Sequence, residues 1–130
     1  MSNNKIDCVF LVVSSSKKSY QKLAETYSAI EPPTWALLLA QSSRSAGFNV
    51  KIIDANAEQL SEKSILERIK TLDPKLICMV VYGQNVNAGT ANMSGATYIT
   101  NFLKENKINK KICFIGSHVQ ALPKETLEKE

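Results

Sequence analysis

The chain has one histidine, His118, and three cysteines, Cys8, Cys78 and Cys113. Ser-His-Asp or Cys-His catalysis would have to be built around that single imidazole. His118 follows an apolar run and a glycine in "ICFIGSHVQALP". Ligand contact and local packing are equally open there, and general-base chemistry ranks well below both. Each cysteine lies inside an apolar, strand-like run, with no Cys or His beside it at the spacing of a metal site. Buried free thiols in a reducing compartment are the expected outcome.

The remaining polar chemistry is carried by hydroxyls, amides and glycines. It gathers in "SSSKKS" (Ser14 to Ser19), in "YGQN" (Tyr82, Gly83, Gln84, Asn85) and in "GSH" (Gly116, Ser117, His118). Such segments offer small side chains and accessible backbone amides. No G-x-G-x-x-G follows the first apolar run and no G-x-x-x-x-G-K-[ST] occurs, so the dinucleotide and P-loop signatures are absent. Asp54 stands where a ribose-binding acid would, but without the glycine turn it reads as a strand-end or turn carboxylate. The serines after the first run have the composition of a flavodoxin phosphate loop. The long continuation to Pro32 and Pro33 argues against a flavin there, because a helix should begin at once. A receiver domain would need acids at that point, where this chain has serines.

Four short apolar runs must position these segments: "IDCVFLVV" (Ile6 to Val13), Val50 to Asp54, Leu76 to Tyr82, and Ile112 to Ile115. They are continuously apolar rather than alternating, as strands covered on both faces are. Single helices separate them. The first is expected at about Thr34 to Ala46, stiffened ahead by Pro32 and Pro33 and closed by Gly47. It is apolar nearly all round ("TWALLLA"), which predicts burial on several sides, with Trp35 in the core or against a neighbouring domain. The second opens on Ser61 as N-cap, carries the stripe Ile65, Leu66, Ile69 and Leu72, and stops before Pro74. The third follows a loop "YGQNVNAGTANMSG" and carries Met93, Ala96, Ile99, Phe102 and Leu103. The tail "SHVQALPKETLEKE" reads as a loop with the first turns of a helix.

Strands alternating with helices predict a doubly wound α/β domain, a mostly parallel sheet with helices on both faces. At 130 residues there is one domain, residues 1–130. The chain closes after a fourth strand, so either sequence beyond residue 130 completes the sheet or one edge stays open; completion is the favoured expectation. In open α/β sheets ligands sit beyond the carboxyl ends of the strands. That is where the serine, Tyr-Gly-Gln-Asn and Gly-Ser-His segments fall. Composition agrees with a soluble domain: 44% hydrophobic, 22% charged, formal charge +4. Basic residues are dispersed rather than gathered into a nucleic-acid arm. No apolar run reaches the ~18–20 residues of a membrane span. The N-terminus fits a strand better than a signal peptide, so a cytoplasmic location is expected.

Three stretches taken together, "EPPTWALLLAQSSRSAGFNVKIIDAN", "LDPKLICMVVYG" and "ICFIGSHVQALPKETL", resemble the N-terminal cobalamin (B12)-binding domain of B12-dependent radical S-adenosylmethionine enzymes. The last stretch is the most specific, with Gly116, His118, Ala121, Leu122, Pro123, Glu125 and Thr126 in register with that family's "G-G-P-H-A-T-A-L-P-E-E-T-L". Ile115 and Ser117 depart from it, standing where the family has Gly and Pro. The resemblance implies a flavodoxin-like or Rossmann-like B12-binding fold with cobalamin on its carboxyl edge. It implies cofactor contacts from Ser14, Ser15, Tyr82, Gly83, Gln84, Asn85, Gly116, Ser117 and His118, with Pro32 and Pro33 fixing the start of the first helix. A second cobalamin family carries D-x-H-x-x-G after the first strand, whose histidine ligates cobalt; "SSSKKSYQ" has no histidine. The resemblance therefore implies cobalamin held without a histidine lower ligand and no protein metal ligand. The C-x-x-x-C-x-x-C loop of the radical enzymes is absent from residues 1–130. A 4Fe-4S cluster and S-adenosylmethionine would belong to a C-terminal radical domain of the same polypeptide, and this segment alone would not be catalytic. A free-standing cobalamin-binding or regulatory module and a flavodoxin-like flavin protein are the alternatives.

Overall fold

The computed structural model describes residues 5–13, 31–83 and 86–129. The expected site residues Ser14, Ser15, Gln84 and Asn85 lie outside the described residues. Four strands, β1 (Cys8–Val12), β2 (Val50–Asp54), β3 (Leu76–Val80) and β4 (Lys111–Ile115), form one all-parallel sheet in the order β2-β1-β3-β4. The register pairs Phe10 with Ile52 on one side and with Cys78 on the other, and Cys78 in turn with Cys113. The doubly wound α/β expectation is met.

Alternate side chains of each strand feed two separate cores. On one face Val9, Leu11, Ile53, Ile77 and Met79 pack beneath α2 (Glu62–Leu72) and α3 (Val86–Glu105), which contribute Ile65, Leu66, Ile69, Met93, Ala96, Ile99 and Leu103. Burying each large aliphatic side chain contributes roughly 1.5–3 kcal/mol before ordering entropy is subtracted. On the other face Phe10, Val50, Cys78 and Val80 pack against Ala36 and Ala40 of α1 (Thr34–Ser45). This second core is smaller, and towards β4 its members Cys113 and Ile115 are only half-buried.

The helix ends follow the sequence signals. Ser61 Oγ accepts from the Ser64 amide at 3.2 Å and starts α2, and Asp73 adopts a left-handed conformation just before Pro74. Pro33 is the N-cap of α1, and its carbonyl accepts the first helical hydrogen bond from the Leu37 amide at 2.9 Å. Gly47, at φ +91°, takes the left-handed turn that leads into β2.

Three expectations change. First, α1 is not buried on several sides: Ala36 and Ala40 meet the sheet, while Trp35, Leu37 and Leu38 are each at least 50% exposed. Its sheet-facing side is a small-residue surface that lets the backbone come close, and its bulky residues point elsewhere. Second, most of "YGQNVNAGTANMSG" is helix, because α3 starts at Val86. The Gly, Asn and Ser residues that suggest a loop are its first turns, and Gly89 is buried. A Cβ on Gly89 would come within 2.8 Å of Ser117 Oγ, so this glycine permits close packing on the segment after β4. Third, the tail folds into two short helices directly after β4, α4 (Ser117–Ala121) and α5 (Pro123–Lys129). Thr126 Oγ1 donates to the Leu122 carbonyl at 2.8 Å and joins them. No helix among the described residues is long and apolar enough to cross a membrane.

Candidate functional site

The strand order places β1 and β3 side by side while their connections leave in opposite directions, β1 towards β2 and β3 towards β4. The carboxyl edge above this pair is the topological switch point, where open α/β sheets bind ligands. Residues 81–83 leave β3 at this edge, and Gly116 and Ser117 leave β4 beside them. The Val81 amide donates to the Ile115 carbonyl at 2.7 Å, extending the ladder by one bond past the end of β3.

Two glycines fix the shape of this floor. A Cβ on Gly116 would collide with the carbonyl oxygen of Val81 and lie 2.8 Å from its carbonyl carbon. Its backbone is extended, which any residue can adopt, so the constraint is close approach rather than conformation. A Cβ on Gly83 would run into the side chain of Ala88 and come within 2.8 Å of the Gly89 nitrogen. The floor is thus close-packed at both glycines, Gly116 on the backbone of Val81 and Gly83 on Ala88 and the backbone of α3. Asn92 Nδ2 donates to the Tyr82 carbonyl at 3.1 Å, tying this segment to α3.

Tyr82 faces the α1 side of the sheet, where it packs on the second core. Its ring stacks on that of Trp35, with centroids 4.6 Å apart and planes inclined by 21°. The stack brings the first turn of α1, and with it Pro32 and Pro33, to the same edge as Tyr82. Periodicity could not have found this pair, since the two residues lie on different elements. The available signal was position: Trp35 follows the proline pair and so falls at the end of α1 that meets the carboxyl edge.

His118 takes the opposite direction. It sits on α4 with Nδ1 3.3 Å from Thr90 Oγ1 of α3. With Thr90, Met93, Ser94, Thr97, Glu125 and Thr126 it lines a cavity of about 420 Å³ between α3, α4 and α5. Tyr82, Gly83, Gly116 and Ser117 are therefore gathered at the switch point with the prolines of α1 alongside, while His118 borders a separate, hydroxyl-rich hollow.

Asp54 is occupied as the sequence suggests, its Oδ1 accepting from the Ala57 amide at 3.0 Å in the turn after β2. All three cysteines are free thiols on the α1 side of the sheet. Burial pushes the Cys8 thiol up to about 11. Cys78 and Cys113 stand opposite each other on β3 and β4, and the interaction of the two thiols raises the Cys78 pKa and lowers that of Cys113. No group of three or more His, Cys, Asp or Glu among the described residues is arranged to hold a metal ion.

Comparison with known protein families gives one finding: the model of the family described as "B12 binding domain" matches residues 20–130. Neither curated proteins nor solved structures give a match.

Proposed function

The chain belongs to the B12-binding domain family, and from that membership we propose that it holds cobalamin on the carboxyl edge of its sheet as the cofactor module of a B12-dependent radical S-adenosylmethionine enzyme. The observation that carries the proposal is the floor at the switch point. Corrin is a wide, partly apolar disc fringed with amides, and it needs a broad surface of small groups and backbone dipoles rather than a deep charged pocket. Gly83 and Gly116, whose missing side chains let the backbone layers close, supply such a surface. Ser117 lies at its margin, and the stacked rings of Tyr82 and Trp35 adjoin it. The residues present fit the group.

In this reading Tyr82, Gly83, Gly116 and Ser117 form the floor, and Ser14, Ser15, Gln84 and Asn85, outside the described residues, are further proposed contacts. Pro32 and Pro33 set the start of α1. His118, with Nδ1 3.3 Å from Thr90 Oγ1, borders the separate hollow beside α4 rather than the floor, and cobalamin would be held without a histidine lower ligand because the segment after β1, "SSSKKSYQ", carries no histidine. Bound cobalamin supplies a cobalt centre suited to methyl transfer. The chain's own residues bind it, orient it and keep one face from water. A C-terminal domain of the same polypeptide supplies the 4Fe-4S cluster and S-adenosylmethionine, and the free cysteines suit a cytoplasmic location.

Titration of the purified chain with hydroxocobalamin and with FMN, followed by absorbance and gel filtration, tests the binding. Co-elution with cobalamin and not with FMN is expected; co-elution with FMN alone overturns it. The enzyme context is tested by the coding sequence after residue 130, where a C-x-x-x-C-x-x-C loop is expected within about a hundred residues.

A further inference from the structure

We infer that Trp35, stacked on Tyr82, is an aromatic platform for the flat face of the corrin ring, so that the chain recognises the macrocycle itself and not only its polar fringe. This rests on the cobalamin reading given above. Trp35 is the only tryptophan of the chain, yet it is 50% exposed and contributes to neither core cluster. A large aromatic ring left half in water at a ligand edge is a binding surface waiting for a partner, because its apolar faces gain most from being covered.

The orientation of the ring is held from beneath. Tyr82 stacks against it at 4.6 Å, and the backbone of Tyr82 is in turn held by Asn92. Tyr82 also packs on the second core beside Val80 and Ile115. The platform is thus anchored through the sheet and α3 rather than standing on a free side chain. On the same sheet face, β4 carries Cys113 and Ile115, both half-buried against the second core. A planar, largely apolar macrocycle fits such a surface. A compact phosphate or carboxylate does not, and no cationic side chain among the described residues joins the stack. Trp35 acts by contact and asks nothing of cobalt.

The test compares the wild-type chain with Trp35→Ala, Trp35→Gln and Trp35→Phe, and with Leu38→Ala as an exposed control on the same helix. Each is titrated with hydroxocobalamin and with dicyanocobinamide, a corrin that lacks the nucleotide tail. Thermal midpoints establish that each variant is folded, and the Gln variant serves if the Ala variant is not. Loss of one aromatic stack predicts a dissociation constant raised about tenfold or more for both corrinoids in the Ala and Gln variants. The Phe variant keeps most of the affinity, and Leu38→Ala keeps all of it. If wild type binds cobalamin and the Ala and Gln variants bind as tightly, the platform is wrong while the cobalamin reading stands. If they lose only cobalamin and keep cobinamide, Trp35 meets the nucleotide tail and the assignment to corrin is overturned. If wild type binds neither corrinoid, the functional reading fails and the platform with it.

Discussion

Adding one methyl group to Gly116 should both unseat the end of β4 and damage the ligand floor. The new Cβ would overlap the Val81 carbonyl oxygen, lie 2.8 Å from its carbon and 3.2 Å from its Cβ. The principal obstacle is backbone, which cannot rotate away as a side chain could, so the two strand ends must separate. Overpacking of this kind costs about 1–3 kcal/mol. The separation also strains the 2.7 Å bond from the Val81 amide to the Ile115 carbonyl, worth about 0.5–1.5 kcal/mol. Gly116→Ala should therefore lose about 2–4 kcal/mol. With a urea slope near ~2 kcal/mol/M, the unfolding midpoint falls by about 1–2 M. Gly47→Ala is the comparison, since φ is +91° there and nothing lies within 4 Å of the added methyl. It costs about 1–2 kcal/mol through backbone conformation alone and leaves ligand affinity unchanged. Urea titrations followed by circular dichroism, each checked for reversibility, give both numbers. A Gly116→Ala midpoint within about 0.3 M of wild type would refute the close approach on which the floor is built.

Thr100 is 1% exposed and its Oγ1 has no hydrogen-bond partner among the described residues, so Thr100→Val should raise stability by about 1 kcal/mol, seen as a thermal midpoint higher by roughly 3–5 °C. With Cys78 opposite it on β3, the Cys113 thiolate forms below the ordinary thiol pKa near ~8.5, whereas Cys8 and Cys78 ionise above it. Iodoacetamide labelling read by peptide mass against pH should find Cys113 modified first, and Cys78→Ala should move its midpoint upward. The Asp7 carboxylate accepts from Lys75 Nζ at 2.6 Å and from the Asn49 amide at 2.9 Å, and these bonds hold its pKa below the ordinary value. A depressed carboxylate stabilises above its unfolded pKa near ~3.9, and that stability is lost as pH falls through the lower folded value. The thermal midpoint of wild type minus that of Asp7→Asn should accordingly be positive at pH 7 and shrink to nothing in the acid range below the folded pKa.

The sheet was legible because its strands are continuous apolar runs separated by single helices, the pattern of parallel strands covered on both faces. Ser61 and Gly47 marked helix ends by mechanisms that act locally, a side-chain cap and a left-handed turn. The start of α3 was not legible. Its Gly89 and the Asn and Ser residues around it argue for a loop by local propensity, and only the contact with Ser117, 28 positions away, explains a glycine inside the helix. The surroundings of α1 were misread for a related reason. A girdle of Trp35, Leu37 and Leu38 suggests burial all round, whereas the contact with the sheet is made by Ala36 and Ala40, whose small size permits the approach. Topology alone brings Tyr82, Gly83, Gly116 and Ser117 together, since their place after β3 and β4 puts them at one edge. The stack of Trp35 on Tyr82 depends on where α1 crosses the sheet, and one-dimensional patterns do not carry that.

The central claim is that cobalamin rests on the carboxyl edge between β1 and β3. Amide hydrogen exchange of the chain, with and without saturating hydroxocobalamin and read by residue or short peptide, tests occupancy and place together. The account predicts slowed exchange at residues 81–83, at Gly116 and Ser117 and in the first turn of α1, with the opposite, amino-terminal edge around Asp7, Asn49 and Lys75 unchanged. Unchanged exchange throughout, or protection confined to the amino-terminal edge, would contradict it.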